Sequence, residues 1–118
     1  MLKVKRIYKR STPDDGIRVL VDRLWPRGIS RNKANIDSWM KEIAPSDSLR
    51  RWFAHCPERW EEFRQRYLKE LEDREDLVEK LKELTQKDTV TLVYSAKDEY
   101  RNNAIVLFEL IMRDREYT

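Results

Sequence analysis

A chain of 118 residues, 40% hydrophobic with twelve aromatics, can fill the core of one domain over 1–118 and excludes both two well-cored domains and a disordered chain. Another 40% is charged, a share common on heat-adapted surfaces. The small net charge of +3 hides an asymmetry: residues 1–36 carry ten Lys/Arg against three Asp/Glu, and residues 37–118 fifteen against nineteen. A lone Cys56 excludes an internal disulfide, a lone His55 excludes a multi-histidine metal centre, and two glycines exclude Walker A and dinucleotide loops.

The first element is Leu2–Tyr8, where apolar and basic residues alternate as in a strand with one buried and one cationic face. Its N-terminal Met-Leu-Lys-Val-Lys-Arg lacks the apolar core of a signal peptide, which fits a reducing cytoplasm. Ser11–Gly16 is a turn built on Pro13 and Gly16. Whether the next strand returns beside the first as a hairpin or runs parallel to it stays open, because a parallel crossover normally needs about a dozen residues.

That next strand, Ile17–Val21, has three consecutive apolar residues and suits a sheet covered on both faces. It ends abruptly in Asp22, Arg23, Trp25, Pro26, Arg27 and Gly28. A polar stretch follows in which Ser30 can cap one helical turn. Asp37 is placed to cap a short helix carrying Trp39, Met40 and Ile43 that stops before Pro45, and Ser46 or Asp47 starts another with Leu49, Trp52 and Phe53 inward.

Pro57 and Glu58 open a third helix, whose Trp60, Phe63, Tyr67, Leu68 and Leu71 form one apolar stripe. Its wet side offers Glu62–Arg66 and Lys69–Asp73 as i,i+4 pairs. A second stripe, Leu77, Val78, Leu81 and Leu84, continues to about Thr85. Thr89–Ser95 is β-branched and aromatic and reads as another strand. It too ends in chemistry, Ser95 to Asn103, before the apolar helix Ala104–Met112 capped by Asn102 or Asn103. That apolar run is too short to cross a bilayer.

The pattern predicts an α/β fold: a small, mostly parallel sheet of three or four strands flanked by helices, with a helical insertion between the second and last strands. In such sheets ligands gather at the carboxyl ends of the strands. If Ile17–Val21 and Thr89–Tyr94 are parallel neighbours, Arg23, Arg27 and Lys97 can converge with the N–H groups near Asn103 into an anion trap. Asp22 and Asp98 are the carboxylates available to move a proton or hold Mg²⁺, Lys97 can stabilise developing negative charge, and Ser95 can donate a hydrogen bond. His55 reads as a helix-terminus cap or a site residue, and Trp25 as a ligand platform or a cover for the core. Duller readings stand beside these, with Asp22 paired to Arg23, Arg27 or Lys97 in a structural ion pair.

Arg18–Gly28, Trp39 with Ala44-Pro45-Ser46, Leu49–His55, Trp60–Phe63 and Leu92–Asp98 with Asn102-Asn103-Ala104 resemble the YeaO-like branch of a large family built on a domain of unknown function. The resemblance covers nearly the whole chain and implies a small prokaryotic α/β domain with no established reaction. Its motif positions fall on Asp22, Arg23, Trp25, Pro26, Arg27, Gly28, His55, Ser95, Lys97, Asp98, Asn102 and Asn103. Related branches carry Cys at the place of Ser95 and a Cys-His-Arg run near Asn102, so thiol chemistry does not transfer here.

Two functions are carried forward. One is a protein that binds a phosphate-bearing small molecule or nucleotide at the strand ends, with hydrolase or transferase activity open. The other is a nucleic-acid-binding module using Lys3, Lys5, Arg6, Lys9, Arg10 and Arg31 with Trp25 stacking. A non-catalytic partner-binding domain is the third reading. No motif names a cofactor.

Overall fold

The computed structural model describes residues 1–116. Four strands, β1 (Leu2–Arg6), β2 (Ile17–Leu20), β3 (Ser38–Trp39) and β4 (Val90–Tyr94), lie in the order β1-β4-β2-β3, and all three pairings are parallel. The hairpin alternative for the first two strands is therefore ruled out. β4 sits between them, with Val90 beside both Leu2 and Ile17 and Val93 beside both Lys5 and Leu20.

β4 takes the centre because all five of its residues are apolar or β-branched, and all five are buried. The chain returns from the end of β1 to the start of β2 in ten residues, using a 3-10 turn at Pro13–Asp15. Gly16 closes that return at φ 63°, ψ −134°, a region closed to L side chains. A Cβ there would lie 2.2 Å from the Thr89 carbonyl oxygen, the same oxygen that accepts the Ile17 N–H at 2.9 Å.

The helices are α1 (Arg31–Ala34), α2 (Asp47–Phe53), α3 (Trp60–Glu72), α4 (Glu75–Lys87) and α5 (Asn103–Glu116). On one sheet face Val19, Val21, Val90, Leu92 and Tyr94 pack against Phe63, Tyr67, Leu71, Val78, Leu81, Leu107 and Ile111 of α3, α4 and α5. On the other, Leu20 and Val93 meet Ile7 and Ala34, closed over by Trp25, Ile29, Ile36 and Trp39. Ser30 caps α1 by accepting the Lys33 N–H, Ser46 caps α2 through the Leu49 N–H, and Asn102 Oδ1 accepts the Ile105 N–H at the start of α5. Glu62–Arg66 forms as expected, whereas Lys69–Asp73 is not an ion pair among the described residues.

One local expectation is corrected. Residues 37–43 hold the two-residue β3 and a 3-10 turn at Lys41–Ile43, in place of a helix capped by Asp37. Asp37 faces the sheet instead, its Oδ2 accepting the Arg18 N–H at 2.8 Å, while its own N–H donates to Arg18 O. Backbone pairing to β2 outweighed the helical spacing of Trp39, Met40 and Ile43.

Under the second face lies a charged cluster with no signature in the sequence pattern. Arg18 is 4% exposed and Asp15 2%, and the Arg18 Nη1 donates to Asp15 Oδ2 at 2.6 Å. The remaining Arg18 donors reach Asn35 O and Ala34 O at 2.9 and 3.1 Å. Lys5 Nζ donates to Asp15 Oδ1 at 2.7 Å, and the Thr12 N–H and hydroxyl complete the shell. Burial alone would raise the Asp15 pKa, but the Lys5, Thr12 and Arg18 donors outweigh it and lower it to about 2. A carboxyl held below its unfolded value stabilises the fold above that value and loses this contribution as it protonates. Urea unfolding is therefore expected to show stability falling by about 2 kcal/mol from this group as pH drops from about 4 through about 2. A stability curve flat across that interval would contradict the assignment.

Candidate functional site

Parallel pairing of β2 with β4 brings the ends of both strands to one edge, where the Val21 N–H donates to Val93 O at 3.1 Å. A cleft of about 180 Å³ opens there, between the two strand-end loops, the N-terminus of α5 and the segment joining α2 to α3. Asp22, Ser95 and Asn103 are on its polar side, Phe53 and Phe63 on its apolar side. Those two rings stack with centroids 4.4 Å apart.

Asp22 is the group with the most specific surroundings. Its Oδ2 accepts the Ser95 N–H at 3.0 Å and the Ser95 hydroxyl at 2.7 Å, and its Oδ1 accepts Asn103 Nδ2 at 3.1 Å. Asn103 Nδ2 also donates to Val21 O at 2.8 Å, which orients the amide. No basic side chain forms an ion pair with Asp22 among the described residues, so the alternative of a structural pair with Arg23, Arg27 or Lys97 is not what forms. Loss of surrounding water raises its pKa, and the Ser95 and Asn103 donors with the charge of His55 offset this only in part. The sign is opposite to that of Asp15: ionised Asp22 weakens the fold at neutral pH, and protonation relieves it.

Arg23 lines the cleft but is committed to its wall. Its Nε donates to Pro45 O at 3.2 Å and its Nη2 to Ala44 O at 3.1 Å. Arg74 also donates to Ala44 O, Tyr67 donates to Ile43 O at 2.7 Å, and Glu70 accepts the Ser46 N–H and hydroxyl at 2.8 and 2.6 Å. Residues 43–46 are thus held by α3 and the start of α4 from one side and by Arg23 from the other. Such a wall is rigid because every polar group along it has a partner.

Two exposed arginines also line the cleft, Arg50 paired with Asp47 and Arg101 paired with Asp98, both at 3.3 Å. Exposed pairs of this kind contribute little and are readily exchanged. His55 completes the lining. It follows Ala54 at φ 46° and itself has φ 56°, two successive non-glycine residues in the left-handed region. Conformations of this sort cost on the order of 1–3 kcal/mol each and concentrate where a side chain must be aimed.

Of the residues singled out from sequence, Asp22, Arg23, His55, Ser95, Asn102 and Asn103 therefore meet at the cleft. Trp25, Arg27, Gly28, Lys97 and Asp98 do not line it. Trp25 closes the smaller core, its ring 5.4 Å from Trp39 and under Arg31 at 4.8 Å, with Nε1 donating to Ile29 O. Arg27 is exposed, its carbonyl accepting the Tyr8 hydroxyl at 2.8 Å, and Gly28 takes a turn at φ 77°. Lys97 is exposed. Asp98 shapes the loop by accepting the Tyr100 and Arg101 N–H groups, bonds that, led by Tyr100, lower its pKa.

Most cations of the basic third are engaged within the protein. Lys3 donates to Asp14 O, Lys5 to Asp15, Arg6 to Ser95 O and Ala96 O, Lys9 pairs with Glu99, and Arg31 covers Trp25 and Trp39. Sequence reasoning did not find Arg50 or Arg101, because each reads there as a helix-surface or loop charge. Only folding sets them beside residues 22 and 95.

The family model described as the inactive DUF488-N3 subclade matches residues 1–117. An uncharacterised protein of Mycobacterium tuberculosis, Rv3073c, is 44% identical over 110 residues, which cover 93% of this chain and 92% of that protein. The uncharacterised protein YeaO of Escherichia coli is 42% identical over 106 residues, covering 90% and 92%. No solved structure matches.

Proposed function

Because this chain belongs to the inactive DUF488-N3 subclade, we propose that its strand-end cleft holds a phosphate-bearing small molecule or nucleotide as a ligand, without turning it over. The observation that carries this reading is Asp22, a part-buried carboxylate with three donors and no ion pair among the described residues, beneath a rim that bears Arg50, Arg101 and His55. Burial raises the Asp22 pKa, and carboxylates perturbed in this way cluster in clefts that bind or react. The clamped wall at 43–46 and the strained backbone at His55 are the marks of a preorganised pocket. The family description, inactive, speaks against turnover.

A thermal-shift screen of sugar phosphates and nucleotides tests this directly. A binding compound raises the melting midpoint of the wild type in proportion to its saturation. In an Arg50→Ala/Arg101→Ala variant the ligand-free midpoint should stay near that of the wild type, because both pairs are exposed, and affinity should fall by roughly tenfold or more. A panel without any stabilising compound, or one that stabilises both proteins equally, overturns the reading. Phosphate or base released from a bound compound would overturn the non-catalytic part alone.

A further inference from the structure

The side chains around Asp22 also say which end of the ligand enters first, an inference that rests on reading the cleft as a small-molecule site. Asn103 uses both amide hydrogens, on Val21 O and Asp22 Oδ1, and Ser95 gives its hydroxyl hydrogen to Asp22 Oδ2. What they leave open are lone pairs. A carboxylate offers about four acceptor sites, of which Asp22 has three filled. Ser95 Oγ and Asn103 Oδ1 accept nothing from the described residues. The polar side chains at this end of the cleft therefore want hydrogen-bond donors, and a phosphate brought against them would face the Asp22 charge.

The rim has the reverse character. Arg50 and Arg101, both exposed, offer guanidinium donors paired with the exposed Asp47 and the half-buried Asp98. Phe53 and Phe63, both buried and stacked on one another, give the cleft an apolar lining. Size narrows the choice further: the cleft is about 180 Å³, below the about 300–1,000 Å³ of pockets that take drug-sized molecules. Its enclosed part holds about one monosaccharide-sized ring, and whatever that ring carries reaches the open rim.

We infer that the ligand is a sugar phosphate, seated with its hydroxyl groups against Asp22, Ser95 and Asn103 and its phosphate turned outward to Arg50 and Arg101. The inner contacts select for hydroxyls, and the outer ones for the anion. A site that hydrogen-bonds a hydroxyl discriminates strongly against the analogue that lacks it, because its own polar groups are then left unpaired.

Calorimetric titration with ribose 5-phosphate, glucose 6-phosphate, butyl phosphate, adenosine monophosphate and inorganic phosphate tests the inference. At least one sugar phosphate is expected to bind roughly tenfold or more tightly than butyl phosphate and than adenosine monophosphate. Ser95→Ala should remove most of that preference by weakening the sugar phosphates far more than butyl phosphate, a split that a merely destabilised protein would not produce. Its ligand-free melting midpoint shows that it folds. Equal binding of butyl phosphate and the sugar phosphates, or tighter binding of adenosine monophosphate, overturns the hydroxyl-first orientation while the anion-binding cleft stands. Binding of none overturns both.

Discussion

Asp15→Ala is expected to lower the free energy of unfolding by about 3–5 kcal/mol at neutral pH, the range for removing one partner of a buried ion pair. The size follows from what is left behind. Arg18 keeps its bonds to Asn35 O and Ala34 O, but its Nη1 and the Lys5 ammonium lose the only carboxylate between them. The buried Arg18 guanidinium and the part-buried Lys5 ammonium are then left without their shared counter-ion. Urea unfolding measures the loss, and a change under about 1 kcal/mol would show that water reaches the cluster. The pair need not itself be stabilising. Combining Asp15→Leu with Arg18→Met and Lys5→Met should recover most of what Asp15→Ala alone loses, since apolar replacements of a whole buried cluster are often neutral.

The second large effect is expected from Gly16→Ala, about 3 kcal/mol or more, with the urea midpoint as the measurement. Two costs combine: a backbone conformation closed to alanine, and a Cβ 2.2 Å from the Thr89 carbonyl, where β2 and β4 begin their pairing. Gly28→Ala supplies the control. Its φ of 77° is also positive, but nothing lies within 4 Å of the added methyl, so only a conformational cost of about 1–2 kcal/mol remains. Equal effects at the two glycines would show that the contact with Thr89 relaxes freely.

These two positions also show where sequence reasoning reached and where it stopped. Long periodic segments were legible: the Trp60–Leu71 stripe became α3, Leu77–Leu84 fell inside α4, and Val90–Tyr94 became a strand. Each carries its own pattern, because one face of a helix or both faces of a strand must be apolar. Asp22, Ser95 and Asn103 were legible too, as polar residues following apolar strands. The direction of β1 was not, since it depends on β4 arriving from far along the chain to separate β1 from β2. β3 was hidden because two residues, Ser38 and Trp39, are too few for any alternation. Asp15 looked like turn chemistry and Arg18 like a strand surface; their burial depends on Lys5, Thr91 and Ala34 from three other segments. Arg27 and Lys97 looked like site cations on proximity in sequence alone, whereas the arginines at the cleft, Arg50 and Arg101, come from α2 and the loop before α5.

The central place of β4 has a consequence for how the molecule assembles during synthesis. β1 and β2 have no edge in common, so the first 89 residues include two of the three longer strands but cannot join them. Neither can saturate its backbone until Val90–Tyr94 leaves the ribosome. Until then the nascent chain keeps two strands with unpaired edges, each a target for chaperones or for a neighbouring copy.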